Sequence, residues 1–336
     1  MAMNYQALAE LSLRGEALSR EQAHAVLDTP DSELLDLLRA TLQVREFYHG
    51  RRVKLCVLLN AQSGICPEDC GYCSQSKVSK APVSKYKLLP EEQIIENARV
   101  AASTGAKRFC IVIAARGPQQ RDIEHLSGAV RRIKDDPDLQ HLEICTSLGL
   151  MNLQQCEQLR DAGVDYVNHN LNTSESHYEK ICQTHTYADR VTTLQNVQSA
   201  GLKTCSGGIV GLGENHDDLI SMGLSLRSMN IESIPVNFLL AIKGTRLENS
   251  PDVETAHALK VLCLMRLLNP DKEVRVSAGR ERLGEQQALA LYAANSLFVD
   301  GYLTTPGEHH EDVKRWIRDS GFEVETVEAA PMVQNA

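Results

Sequence analysis

Val53-Lys54-Leu55-Cys56-Val57-Leu58-Leu59 is an apolar run of strand length, and Cys66-Pro67-Glu68-Asp69-Cys70-Gly71-Tyr72-Cys73 follows it a few residues later. Outward from this pair, strand-like runs alternate with helical patterns to the end of the chain. Leu89-Pro90-Glu91-Glu92 opens a helix reaching residue 103, with a proline near its first position and acids in its first turn. Strands are then expected at 107–114, 141–147, 164–172, 202–210, 234–241, 273–277 and 296–299. Helices are expected between and after them at 121–134, 152–162, 187–199, 215–229, 254–268, 284–294 and 310–319. About eight strand-then-helix units in roughly 250 residues are the rhythm of an α/β protein with a TIM-type (β/α)8 barrel. A doubly wound open sheet is the alternative. Its dinucleotide signature Gly-x-Gly-x-x-Gly is absent, because the glycines at 208–213 have that spacing reversed. Residues 1–50 read as a helical N-terminal extension on the outside or bottom of the barrel, 51–325 as the barrel and 326–336 as a C-terminal tail.

A formal charge of −9 argues against nucleic-acid binding, which calls for a basic face. No apolar run approaches the roughly 18 residues of a membrane span, and residues 1–20 lack the apolar core of a secretion signal. A cytoplasmic protein is expected. In a reducing compartment ten cysteines are not structural disulfides, which leaves buried small hydrophobes and metal ligands.

Three thiolates spaced as Cys66, Cys70 and Cys73 can hold three corners of a four-iron cluster and leave the fourth iron open. Zinc is the plainer candidate, but a structural zinc site wants four ligands and no partner pair lies nearby. The loop follows the first strand, at the end where barrel enzymes carry their active sites. Cys-x-x-x-Cys-x-x-Cys with an aromatic before the last cysteine resembles the radical S-adenosylmethionine (SAM) superfamily. In that superfamily the open iron chelates SAM, and an electron from the cluster splits it to methionine and a 5′-deoxyadenosyl radical. The resemblance places Tyr72 against the adenine.

Cys110, Cys145 and Cys205 each fall within a predicted strand. Singly, each is a small hydrophobe; from three barrel strands they can converge on one interior point. Arg275 is also on a strand, where a buried charge needs a partner. Asn168, Asn170 and Asn172 alternate, so strand geometry points them to one face and His169 and Leu171 to the other. Cys56 either approaches the interior cysteines or packs. Cys156, Cys182 and Cys263 read as inert, and His309-His310 as surface. Gly207, Gly208, Gly211 and Gly213 either let backbone approach a ligand or turn the chain.

Residues 64–76, 108–110, 166–174, 205–214 and 276–281, taken in order, resemble the biotin synthase family of that superfamily. The likeness runs from about residue 30 to 325. It implies a [4Fe-4S] cluster on Cys66, Cys70 and Cys73, and a [2Fe-2S] cluster on Cys110, Cys145, Cys205 and Arg275 as sulfur donor. It also implies SAM against Tyr72, Asn172, Gly207 and Gly208, and the ureido group of dethiobiotin against Asn170 and Asn237. Many relatives carry Asp where this chain has Asn172. The activity implied is a sulfurtransferase closing the last step of biotin biosynthesis, in a homodimer served by a flavodoxin- or ferredoxin-type electron donor. The residues leave two other assignments open. One is a barrel relative such as the hydrogenase maturase or the pyrrolysine-pathway mutase; the other is an iron–sulfur or zinc carrier without catalysis.

Overall fold

The computed structural model describes residues 4–305 and 307–325. The expected tail at 326–336 lies outside them. Eight strand positions close a parallel barrel: β1 (Arg52–Gln62), β2 (Arg108–Ile113), β3 (Glu143–Ser147), β4 (Tyr166–Asn168), β5 (Lys203–Cys205) with β6 (Gly208–Val210), β7 (Ser233–Phe238), β8 (Glu273–Val276) and β9 (Ser296–Phe298). Strands β5 and β6 are two halves of one position, and both pair with β7. Closure is made by β9 pairing back onto β1. A short β10 (Glu323–Val324) adds to the start of β1 outside the ring.

Outer helices follow the strands: α4 (Glu91–Ser103), α5 (Gln120–Asp135), α6 (Leu153–Asp161), α7 (Glu175–Ile181), α8 (Tyr187–Ser199), α9 (His216–Ser228), α10 (Thr255–Leu268) and α11 (His310–Asp319). The N-terminal residues form α1 (Tyr5–Leu13), α2 (Arg20–Leu27) and α3 (Leu34–His49). These lie against the outside of the barrel over α9 and α10. The Ser12 hydroxyl donates to the Leu267 carbonyl at 2.8 Å, and Leu37 and Leu38 are fully buried in a core shared with α10. This explains why α10 is apolar almost all round, since it is covered on both faces.

Three expectations need correction. The strand at 164–172 ends at Asn168, because Asn172 takes a left-handed conformation (φ 70°) to bridge to Gly208. The strand at 202–210 breaks at Ser206-Gly207. A Cβ on Gly207 would lie 1.9 Å from the Pro235 carbonyl oxygen, so only glycine lets the chain pass this close to β7. The helix at 284–294 is instead 3₁₀ structure over Arg280–Tyr292, kinked at Gly284. Helix α7, capped by the Ser174 side chain, was not anticipated.

The registers slip steadily round the ring, as closure of tilted strands requires, so alternate strands contribute side chains to common layers. The bottom of the barrel is charged. Arg108 donates to Glu143 (2.7 Å) and to both oxygens of Glu273 (2.9 and 3.0 Å). Lys54 reaches the same two carboxylates at 3.1 and 3.3 Å, and Arg275 also pairs with Glu273. The Arg108 guanidinium lies 3.7 Å from the centre of the Tyr166 ring. Three cations thus meet two carboxylates, leaving net positive charge under the chamber above.

Burial alone would raise the Glu273 pKa, but Arg108, Arg275 and Lys54 outweigh it and hold the carboxyl well below its usual range. Its contribution to stability is therefore complete above the unfolded pKa of about 4.3 and is lost as pH falls through the depressed folded value. Replacing Glu273 by Ala leaves buried cations uncompensated and is expected to cost about 3–5 kcal/mol. Urea unfolding at neutral pH measures this, and the variant's loss relative to the parent should shrink below about pH 4.

Candidate active site

A chamber of about 290 Å³ opens at the C-terminal ends of the strands. That is close to the lower end of the size range of small-molecule sites, roughly 300–1,000 Å³. Its upper wall carries Cys66, Cys70, Tyr72 and Cys73; deeper in it are Cys110, Cys145 and Arg275. One cavity therefore joins the loop cysteines to the strand cysteines. Cys205 is fully buried, is not among the lining residues, and belongs with Cys56, Cys110, Cys145, Tyr166 and Phe298 to one interior cluster. All ten cysteines are free.

The strand cysteines meet because of strand pairing. Cys110 and Cys145 are direct register partners on β2 and β3, and Cys205 on β5 is opposite Asn168 on β4. Asn168 Nδ2 points at the Cys205 sulfur from 3.3 Å. A hydrogen bond from Cys145, with Arg275 and Arg108 nearby, outweighs burial and pulls the Cys205 thiol down to about 5. Arg275 is fixed on every nitrogen. Its Nε donates to Ser296 Oγ at 3.1 Å, its NH2 to Ser233 Oγ at 3.0 Å and to Glu273, and its NH1 lies 3.9 Å from the Cys205 sulfur. Buried thiols over net positive charge suit an anionic iron–sulfur group.

The upper loop is shaped by its two acids, which are bound by the stretch that follows α7. Asp69 accepts from the Gln183 and Thr184 amides (3.0 and 3.1 Å) and the Thr184 hydroxyl (3.0 Å). Burial would raise its pKa, yet these bonds hold it well below the carboxylate range. Glu68 meets Thr184, His185 and Arg116, and the Gly71 amide donates to the Ile181 carbonyl at 2.8 Å. The stretch after α7 is therefore a splint for the cysteine loop. Cys182, expected to be inert, belongs to it: its sulfur lies 3.7 Å from that of Cys70 and 3.3 Å from Asp69 Oδ1. It stands behind Cys70 and is not among the residues lining the chamber. Cys156 and Cys263 are buried in the apolar core, as expected. His310 pairs with Asp300 at 2.9 Å near the surface.

Asn168, Asn170 and Asn172 all line the chamber, although only the first is on a strand. Asn170 Oδ1 accepts from Asn168 Nδ2 and the Gly207 amide, each at 3.1 Å, which leaves its own amide N–H groups free. Asn172 Nδ2 donates to the Tyr72 hydroxyl at 2.8 Å, tying the loop to the barrel wall. Asn237 lines the chamber and stitches strands together through Gly208 O (3.0 Å) and the Ala278 amide (3.1 Å). Gly207 and Gly208 are placed differently. Their missing side chains would strike Pro235 and Met222, so packing accounts for them, and the wall there is Ile209. His169, expected to face away, also lines the chamber. Its Nε2 is buried without a partner, and burial, with Arg190 and His185 nearby, drives its pKa well down, so the ring is neutral.

A family model described as the Radical SAM superfamily matches residues 62–223, and one described as the Biotin and Thiamin Synthesis associated domain matches residues 235–323. The chain is 49% identical over 321 residues to the biotin synthase of Rhodopirellula baltica, covering 95% of this chain and 89% of that one. It is 46% identical to the biotin synthase of Halalkalibacterium halodurans, covering 97% of each. The chain belongs to the biotin synthase family. As a radical SAM enzyme of the biotin synthase family it uses a [4Fe-4S] cluster, SAM and a [2Fe-2S] cluster. Among solved structures, methylornithine synthase is similar with a TM-score of 0.83 at 21% identity, covering 95% of this chain and 97% of that one. The FeFe-hydrogenase maturase of Carboxydothermus hydrogenoformans is similar with a TM-score of 0.81 at 18% identity, covering 97% and 80%. Both share the barrel fold. No helix among the described residues is long and apolar enough to cross a membrane.

The splint makes a testable claim on this member of the biotin synthase family. Asp69→Ala removes the acceptor for four donors, the Gln183 and Thr184 amides, the Thr184 hydroxyl and the Cys182 thiol, and is expected to weaken retention of a cluster held at Cys66, Cys70 and Cys73 about 10- to 100-fold, as loss of a group supporting metal ligands does. Iron and sulfide per chain, followed during challenge with a chelator, measure the loss.

Proposed function

We propose that the chamber is where dethiobiotin becomes biotin by insertion of sulfur between its methyl carbon and its ring-side methylene carbon. Cys66, Cys70 and Cys73 hold the [4Fe-4S] cluster and leave one iron for SAM, while Cys110, Cys145 and Cys205, with Arg275 beside them, hold the [2Fe-2S] cluster that gives up sulfur. The observation that carries this is that one cavity has thiol sets at both its upper wall and its depth. When bound, the clusters and SAM supply one-electron cleavage of SAM, hydrogen abstraction from the substrate and the sulfur atom.

The chain supplies position, and bringing two reacting groups to one place is worth several kcal/mol. Tyr72 and Asn172, locked to each other, form the wall for SAM; Asn172 keeps its carbonyl oxygen free to accept from a ribose hydroxyl. Asn170 offers free N–H donors to the ureido oxygen, and Asn237, anchored to β6 and to the loop after β8, holds the opposite side. Leu58, Val112, Leu239 and Phe298 give the chamber apolar walls that keep water from the activated carbon. A flavodoxin- or ferredoxin-type donor supplies electrons, and two copies of the chain associate, as the family resemblance implies.

Anaerobic reconstitution with dethiobiotin, SAM and such a reductant is expected to give 5′-deoxyadenosine and biotin; absence of both refutes the proposal. Cys110→Ala is expected to lower biotin by at least about 100-fold while SAM cleavage stays within about threefold, consistent with the loss of a metal ligand. Equal loss of both products would contradict the division of labour between the two thiol sets.

A further inference from the structure

Outside the barrel, the N-terminal extension meets the wall through side chains that the proposed activity does not use. His24 and Asp28 are one turn apart at the C-terminal end of α2, so they project from one face of it. His216, the first residue of α9, meets them from the barrel side. One ring nitrogen of each histidine and one carboxylate oxygen of Asp28 all lie within 4.8 Å of one another. The Asp28 oxygen is 3.0 Å from His216 Nδ1, and His216 is the only ion-pair partner of Asp28 among the described residues. None of the three lines the chamber.

The surroundings hold both rings. Asp217 Oδ1 lies 3.0 Å from His24 Nε2 and is itself held by Arg20 at 3.0 Å, so this carboxylate orients the His24 ring. The His216 ring stacks on His257 of α10, with centroids 5.6 Å apart and planes 11° from parallel. The group sits at the carbonyl end of α2, where the helix dipole favours a cation. The opposing dipole at the start of α9 is met by Asp217 and Asp218 in its first turn. Two imidazoles and one carboxylate suit Zn²⁺, which commonly takes three protein ligands and a water. Calcium and magnesium prefer oxygen donors throughout. Donor atoms around a tetrahedral zinc are about 3.3 Å apart, so small side-chain rotations suffice to bring these three onto one ion. We propose that His24, Asp28 and His216 form a zinc site, with a water as fourth ligand, that clamps the N-terminal extension to the barrel wall. Zinc replaces the direct contact between His216 and Asp28, any proton on either ring passes to solvent, and no electron moves. The site is independent of the sulfur-insertion chemistry.

The test uses the full chain carrying both iron–sulfur clusters, so that the cluster thiols are occupied. It is given one equivalent of Zn²⁺ and freed of excess metal. Zinc X-ray absorption of the parent is expected to show a nitrogen and oxygen shell at about 2.0–2.1 Å and no sulfur shell near about 2.3 Å. His24→Gln and His216→Gln are each expected to lower retained zinc at least about tenfold, with cluster iron and SAM cleavage unchanged. Amide hydrogen exchange across α2 is expected to slow about tenfold or more when zinc is added to the parent, and not in either variant. A sulfur shell, no retained zinc, or a nitrogen and oxygen shell that survives both substitutions overturns the proposal. Zinc held by the parent without slower exchange in α2 overturns the clamping role.

Discussion

The carboxylate of Glu273 is the contact on which the interior depends. Buried at the start of β8, it receives Arg108 through two nitrogens, Arg275 from two residues further along its own strand, the Ser233 hydroxyl and Lys54. Without it, cations on three strands would face one another out of water, a cost of several kcal/mol. With it, they form a base with positive charge to spare directly under the strand thiols. Cys205 shows part of the effect: its thiol is drawn down to about 5 first by the hydrogen bond with Cys145 and then by Arg275 and Arg108, against burial. A thiolate already favoured at neutral pH is prepared to bind iron.

The upper end of the chamber solves a different problem. A loop with three thiols has no regular structure to hold it, and two acids among thiolates would repel an anionic cluster. Here Glu68 and Asp69 are both engaged by the 181–185 splint, where amide, hydroxyl and imidazole donors offset their charge. On its chamber side the loop is tied to the barrel by Tyr72 with Asn172 and by Ser74 with Thr304. Between the loop and the thiol layer lies the chamber of about 290 Å³.

Much of this was legible in the residues. The strand–helix rhythm located the barrel, and the three-cysteine loop located its catalytic end. A stronger pattern was available as well. Lys54-x-Cys56, Arg108-x-Cys110, Glu143-x-Cys145, Lys203-x-Cys205 and Glu273-x-Arg275 each put a charge and a cluster-layer residue on the same face of a strand, the charge one step lower. That repetition marks a charged base beneath a thiol layer. What could not be read was set by tertiary contact. The break at Ser206-Gly207 follows from the approach of Pro235, and the left-handed Asn172 from its bridge to Gly208. Cys182 looked like a helix residue; it ends α7, and only folding brings it behind Cys70, over a hundred positions away in the chain.

The origin of the sulfur tests the central claim most directly. The chain is loaded with an auxiliary cluster containing ³⁴S-sulfide, freed of excess sulfide, and allowed one turnover on dethiobiotin. Mass spectrometry of the biotin formed is predicted to show ³⁴S in the ring at nearly the enrichment of the cluster. Biotin carrying sulfur of natural abundance, from a chain whose auxiliary cluster stays labelled and intact, would contradict the account.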